Sequence, residues 1–103
     1  MPKRSIIAKL TCEADKADDL EAALAGVVTA SEEEGGLEIY SVHKDPDQPG
    51  TYWFFELYSD EAALGVHGKG DGMKAAMKAV GGLLSGPPDV SILVPTVAKG
   101  LEI

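Results

Sequence analysis

His67 and Glu56 are the side chains of this sequence best set for acid–base chemistry. His67 ends a short helical stretch and stands just before a run of glycines, Gly68-Lys69-Gly70-Asp71-Gly72. An imidazole there can hang over the end of a space between helix and sheet, or lie exposed in a last turn, where the helix dipole favours a cation. Glu56 interrupts the aromatic run Thr51-Tyr52-Trp53-Phe54-Phe55-Glu56-Leu57-Tyr58. An unpaired carboxylate in such surroundings is costly. It is therefore paired with Arg4, a lysine or a backbone amide, or it is a base or substrate contact whose pKa is shifted by its setting. The remaining reactive types promise less. Cys12 reads as a small buried hydrophobe and His43 as an exposed residue near a turn. One cysteine and two histidines at positions 43 and 67 lack the spacing of a zinc motif, so no metal site is expected. The glycine run lacks the spacing of a phosphate-binding loop and follows a helix rather than a strand, so it reads as a flexible linker or a lid.

The elements that must position these residues follow from the apolar periods. From Arg4 to Cys12, Ile6, Ala8, Leu10 and Cys12 alternate with Ser5, Ile7, Lys9 and Thr11, the two-residue period of a strand. From Asp15 the period lengthens: Leu20, Ala23, Leu24, Val27 and Val28 predict a helix to about Glu33, with Asp15 as its N-cap. Glu32, Glu33 and Glu34 crowd the negative helix end before Gly35-Gly36 and read as a solvated acidic end. Leu37–Lys44 alternates again, and the turn formers Asp45-Pro46-Asp47-Gln48-Pro49-Gly50 join it to the aromatic strand 51–58 as an antiparallel hairpin. Ser59-Asp60-Glu61 opens a short helix up to His67. Met73, Ala76, Met77, Val80 and Leu84 predict another helix from 73 to about 84, stopped by Gly86-Pro87-Pro88. Val90–Val97 is the last strand, with Pro95 marking an edge or bulge.

Strand, helix, strand, strand, helix, strand is the βαββαβ order of an α+β, ferredoxin-like fold with one antiparallel sheet. Residues 1–103 make a single domain of this kind. Along the aromatic strand Tyr52, Phe54, Glu56 and Tyr58 share one face, and Trp53, Phe55 and Leu57 the other. One face must line a pocket and the other a dimer core, and parity does not say which. A sheet apolar on both sides with helices for one of them wants a partner, so a homodimer with facing sheets is expected. The net charge of −8 repels phosphate backbones and anionic lipid head groups, which argues against nucleic acid and membranes as partners. With one cysteine and no long apolar run, the chain reads as cytoplasmic.

Glu33-Glu34-Gly35, then Tyr40, then Phe55-Glu56-Leu57-Tyr58-Ser59-Asp60-Glu61-Ala62-Ala63-Leu64, then His67 resembles the antibiotic biosynthesis monooxygenase family over essentially the whole chain. The resemblance implies a dimeric α+β barrel with a pocket between sheet and helices. It also implies a cofactor-independent monooxygenase that oxidises a small aromatic, a quinol or anthrone, with O2. By that analogy His67 or Glu56 helps deprotonate a phenolic substrate, and Tyr40, Trp53 and Tyr58 hold its flat ring. Two departures stand out: Tyr58 occupies a position where many members carry tryptophan, and the segment after His67 is rich in glycine. Haem-degrading relatives pair a histidine near this helix with an asparagine on the first strand, and this sequence contains no asparagine. Two other classes fit the same scaffold: a small-ligand-binding or stress-related protein without turnover, and an oxygen-independent isomerase or lyase.

Overall fold

A computed structural model describes residues 2–103. Its elements are β1 (Arg4–Thr11), a short 3-10 turn (Ala14–Lys16), α1 (Ala17–Ser31), β2 (Leu37–Lys44), β3 (Thr51–Tyr58), α2 (Glu61–Val66), α3 (Asp71–Gly81) and β4 (Asp89–Leu93). The strands form one antiparallel sheet in the order β2-β3-β1-β4. This is the ferredoxin-like α+β arrangement that the apolar periods predict. β2 and β3 occupy their expected spans, and the hairpin between them is closed by Thr51 N–H on Gln48 O at 3.1 Å and Asp45 N–H on Thr51 O at 3.0 Å. Gly50 adopts φ +84° there, and a Cβ would lie 2.4 Å from the carbonyl oxygen of Cys12. Glycine is required on both counts.

Several boundaries differ from the sequence expectation. Asp15 does not cap α1, because it is taken into the 3-10 turn, and the helix starts at Ala17 without a side-chain cap. Asp18 and Asp19 in its first turn supply the negative charge that the positive helix end favours. α3 begins earlier than expected, with Gly70 as an extended N-cap, and ends at Gly81, where paired glycines remove the propensity to continue. Leu83 and Leu84 still pack on the core after leaving the helix. β4 stops at Leu93, two residues ahead of Pro95, and pairs with β1 alone. That is the edge position which proline tolerates.

The helices cover one face of the sheet. Leu20, Leu24 and Val27 of α1 join Ile6, Phe54 and Tyr58 in a single core cluster, with Leu20 and Tyr58 wholly excluded from solvent. Burial of each such side chain contributes about 1.5–3 kcal/mol. Cys12 is buried, as expected. The opposite face of the sheet leaves Ile7, Trp53 and Leu93 exposed, and Lys9 Nζ lies 5.5 Å above the Trp53 ring. Among the described residues, no helix is long and apolar enough to cross a membrane.

One close approach ties the helical layer to the sheet near the site. Gly36, just before β2, accepts from Ser59 N–H at 2.8 Å, and a Cβ on it would lie 2.4 Å from the Cβ of Ala63 in α2. Here too only glycine fits, because backbone and helix meet with no room for a methyl group.

Candidate active site

Alternation along β3 turns Tyr52, Phe54, Glu56 and Tyr58 toward the helices, which settles the parity question left by the sequence. Glu56 stands opposite Ile6 of β1 and Tyr40 of β2. Its partner is not Arg4, a lysine or a backbone amide. Tyr58 Oη donates to Glu56 Oε1 at 2.5 Å, and Arg4 instead reaches Glu61 at 3.4 Å. Burial pushes the Glu56 carboxyl above its ordinary value. The Tyr58 hydrogen bond and His67 pull it back, and the nearby Glu34 adds to the rise.

His67 is positioned by α2. Asp60 caps that helix by accepting from Ala63 N–H at 2.8 Å, and His67 follows its last residue with φ −59° and ψ 133°, outside the helical region. Its Nδ1 lies 2.8 Å from Glu34 Oε1, and its Nε2 lies 3.9 Å from Glu56 Oε1. The edge-on rings of Tyr40 and Tyr58, at 5.5 and 5.4 Å between centroids, hold the imidazole from two sides. The sequence expectation of a solvated acidic end therefore fails for Glu34. That side chain is largely buried against His67, and its Oε2 is enclosed with no hydrogen-bond partner among the described residues. With Glu34 ionised, Nδ1 is the donor, and the lone pair of the neutral ring resides on Nε2, the nitrogen nearer Glu56.

Glu56 and His67 close one end of a cavity of about 280 Å³ between the sheet and α3. Its walls are otherwise nearly all apolar, with Ala8, Leu10 and Phe54 from the sheet and Met77, Val80 and Leu84 from the helical side. Tyr40 lines it as well, packed edge-on against Phe54 at 5.2 Å. A broader groove of about 560 Å³ runs along α1 and β2, but the ionisable groups there satisfy one another. Tyr52 donates to Glu21 at 2.7 Å, Lys44 lies 3.4 Å from the same carboxylate, and burial pushes the Tyr52 hydroxyl up to about 12. The smaller cavity is the better candidate.

Of the residues singled out in the sequence, Tyr40, Glu56 and His67 meet at this cavity. Tyr58 lies behind Glu56 and orients it without lining the cavity, and burial drives its own hydroxyl far above the usual tyrosine range. Trp53 is on the opposite face of the sheet. Glu34 and Met77 are not among the site candidates of the sequence, which gives them only as part of an acidic helix end and of an apolar helix stripe. For Glu34 the available signal was an anion at a helix end that disfavours anions, immediately before a glycine pair. Among the described residues, no three His, Cys, Asp or Glu side chains form a group able to hold a metal ion.

No curated protein matches this chain. Solved structures do. A provisionally assigned antibiotic biosynthesis monooxygenase from Caulobacter crescentus CB15 is 27% identical with a TM-score of 0.86, over 93% of this chain and 92% of that one. Rv0793 from Mycobacterium tuberculosis is 26% identical with a TM-score of 0.84, over 95% and 99%. NE2512 of Nitrosomonas europaea, a protein of unknown function, is 25% identical with a TM-score of 0.81, over 99% and 97%. The family model described as antibiotic biosynthesis monooxygenase matches residues 4–79, a span that includes Glu34, Tyr40, Glu56 and His67. Sequence and fold thus agree from β1 into α3, and the chain belongs to the antibiotic biosynthesis monooxygenase family.

Proposed function

We propose that this protein is a cofactor-independent monooxygenase that oxidises a small, electron-rich aromatic, a quinol or anthrone, with O2. The observation that carries this reading is the apolar cavity whose one polar end is built from His67 and Glu56, with Glu34 holding the far side of the imidazole. Apolar walls suit a flat ring, and Tyr40 and Phe54 offer aromatic surface to it. In this reading the phenolic hydroxyl (the enol form of an anthrone) gives its proton to His67 Nε2, and the Glu34 carboxylate offsets the charge of the imidazolium. The phenolate passes one electron to O2, recombination of the two radicals forms a carbon–oxygen bond, and His67 returns its proton to the peroxide anion so formed. At a carbon that still bears hydrogen, His67 takes that proton from the resulting hydroperoxide, the O–O bond breaks, and the departing hydroxide takes the proton from His67 to leave as water. The substrate supplies all four electrons, so no further reductant enters. Glu56, oriented by Tyr58, stands 3.9 Å from His67 Nε2 as a second carboxylate facing the imidazole from the cavity side.

The same reading includes a homodimer. Ile7, Trp53 and Leu93 leave an apolar outer sheet face that a second copy would cover, which gives Trp53 a place in the interface. Sedimentation that returned a stable 10.8 kDa species at micromolar concentration would refute that part.

The test of the chemistry is oxygen uptake by chelator-treated protein against a panel of quinols and anthrones, with heat-denatured protein subtracting autoxidation. Uptake should exceed the control and fall at least ~10-fold in His67→Ala, general acid–base assistance being worth about 10²–10⁴-fold. An unchanged rate in His67→Ala removes His67 from the reaction. No uptake across the panel refutes oxidation of this substrate class.

A further inference from the structure

The cavity has a charge composition that the oxidation chemistry does not by itself require. Glu56 and His67 are the ionisable carboxylate and imidazole among its lining residues, and no lysine or arginine among the described residues lines it. A second carboxylate, Glu34, stands directly behind the imidazole at 2.8 Å. Cations near this end of the sheet are engaged with other carboxylates: Lys3 lies 2.6 Å from Glu38, and Arg4 lies 3.4 Å from Glu61. The one polar end of the cavity is therefore an acidic pair with an imidazole between its members.

We propose that this site selects uncharged phenols and rejects aromatic acids and phosphate esters of the same size, with Glu56 as the residue that determines the selection. The inference rests on the reading of the cavity as a phenol site and adds the charge class of its ligand. A neutral phenol enters with its hydroxyl toward His67 and Glu56, where a lone pair awaits its proton. Proton transfer to His67 leaves the total charge of the site unchanged, because phenolate and imidazolium form together and Glu34 faces the cation. An acid brings a charge with no counter-ion. Its carboxylate is either stripped of water against apolar walls or set beside Glu56 and Glu34 as a third negative group. Like charges juxtaposed in such a site cost several kcal/mol. A penalty of that size weakens binding by about 100-fold or more.

The test uses redox-inert probes under nitrogen, so that binding is read apart from turnover. 2-Naphthol, 6-hydroxy-2-naphthoic acid and the methyl ester of that acid share one ring skeleton, and the ester controls for the bulk of the carboxyl group. Fluorescence titration at pH 7.5 should show 2-naphthol and the ester binding within about tenfold of each other and the acid about 100-fold more weakly than the ester. In Glu56→Gln, which keeps the shape and an oxygen for Tyr58, the ratio of ester to acid affinity should shrink at least about tenfold, with circular dichroism confirming the fold. Acid binding within about threefold of the ester overturns the selection. An unchanged ratio in Glu56→Gln overturns the role of Glu56, and failure of both neutral probes to bind overturns the phenol site itself. Selective binding of the neutral probes together with absent oxygen uptake would sink the oxidation reading and leave this inference standing.

Discussion

Gly36→Ala should damage both the fold and the active site, and the structure sets the scale. The added methyl carbon would lie 2.4 Å from the Cβ of Ala63, against an optimal carbon–carbon separation of about 3.5–4.0 Å. One side must retreat by roughly 1.1–1.6 Å. Gly36 is tied to the sheet end by the 2.8 Å bond from Ser59 N–H, so α2 gives way, and His67 directly follows α2. Overpacking of this kind costs about 1–3 kcal/mol. For a chain of this length each kcal/mol lowers Tm by about 4–8 °C, so the variant should melt roughly 4–24 °C lower. A displaced α2 also carries Nδ1 of His67 away from Glu34. The compensating change is Ala63→Gly, after which the nearest atom to the new methyl is the Cα of residue 63 at 3.5 Å, an ordinary contact. Alone, Ala63→Gly costs about 0.5–1 kcal/mol in helix propensity. The double variant should therefore melt within a few degrees of Ala63→Gly, so that the cycle shows a coupling of about 1–3 kcal/mol. Differential scanning fluorimetry reads all four proteins. Equal melting of Gly36→Ala and the parent, or a double variant with additive losses, would refute the argument that this contact sets the position of α2.

Tyr58→Phe removes the hydrogen that Glu56 accepts and should cost about 1–3 kcal/mol, read as a lower melting temperature. That bond also lowers the Glu56 pKa, so carboxyl NMR titration of the variant should find the Glu56 midpoint higher still, and an unmoved midpoint would contradict the assignment. Glu56→Gln should stabilise the protein progressively more as pH rises. A carboxyl whose folded pKa is raised above its ordinary 4.5 contributes stability below that value and loses it as pH climbs through the folded pKa, and glutamine cannot make that loss. Melts of both proteins from pH 4 to 8 check this, and a difference that does not change with pH would count against it. Leu20→Ala empties a site wholly excluded from solvent and should cost about 2–5 kcal/mol by urea denaturation.

The parts of the fold legible in the sequence are those where one periodic signal had no competitor. β2 and β3 are bounded by the Gly35-Gly36 pair, dense turn formers and the Ser59-Asp60 cap, and they occupy the expected spans, although a register shift between Leu37 and Ile39 breaks the alternation at the start of β2 and turns Leu37 to the core with Tyr40 and Val42. α1 had two competing starts, since Asp15 and the Asp18-Asp19 pair both favour a helix N-terminus, and the 3-10 turn took the first. α3 had the opposite problem at its end. The apolar stripe continues to Leu84 through packing after the helix has stopped at Gly81, because tertiary contact uses side-chain position and not backbone hydrogen bonding.

The site was legible for a different reason and failed at a different place. Glu56 stands out because a carboxylate inside an aromatic strand must be satisfied, yet its partner lies two residues away on the same strand face, at Tyr58, for which the family resemblance implies a substrate contact. Period-two geometry makes residues i and i+2 neighbours, so a tyrosine there is as available to a buried carboxylate as any cation across the sheet. Glu34 was harder. It lies 33 positions from His67, and its neighbours Glu32 and Glu33 are exposed, so composition alone assigned all three to solvent. What distinguishes it is the backbone after it: the close packing of Gly36 on Ala63 brings the start of β2 and the side of α2 together, and His67 at the end of α2 then lies within 2.8 Å of the last of the three glutamates. The glycine that admits the helix thus also builds the histidine–carboxylate pair, a link between packing and chemistry that two glycines in a row signal in the sequence but do not locate.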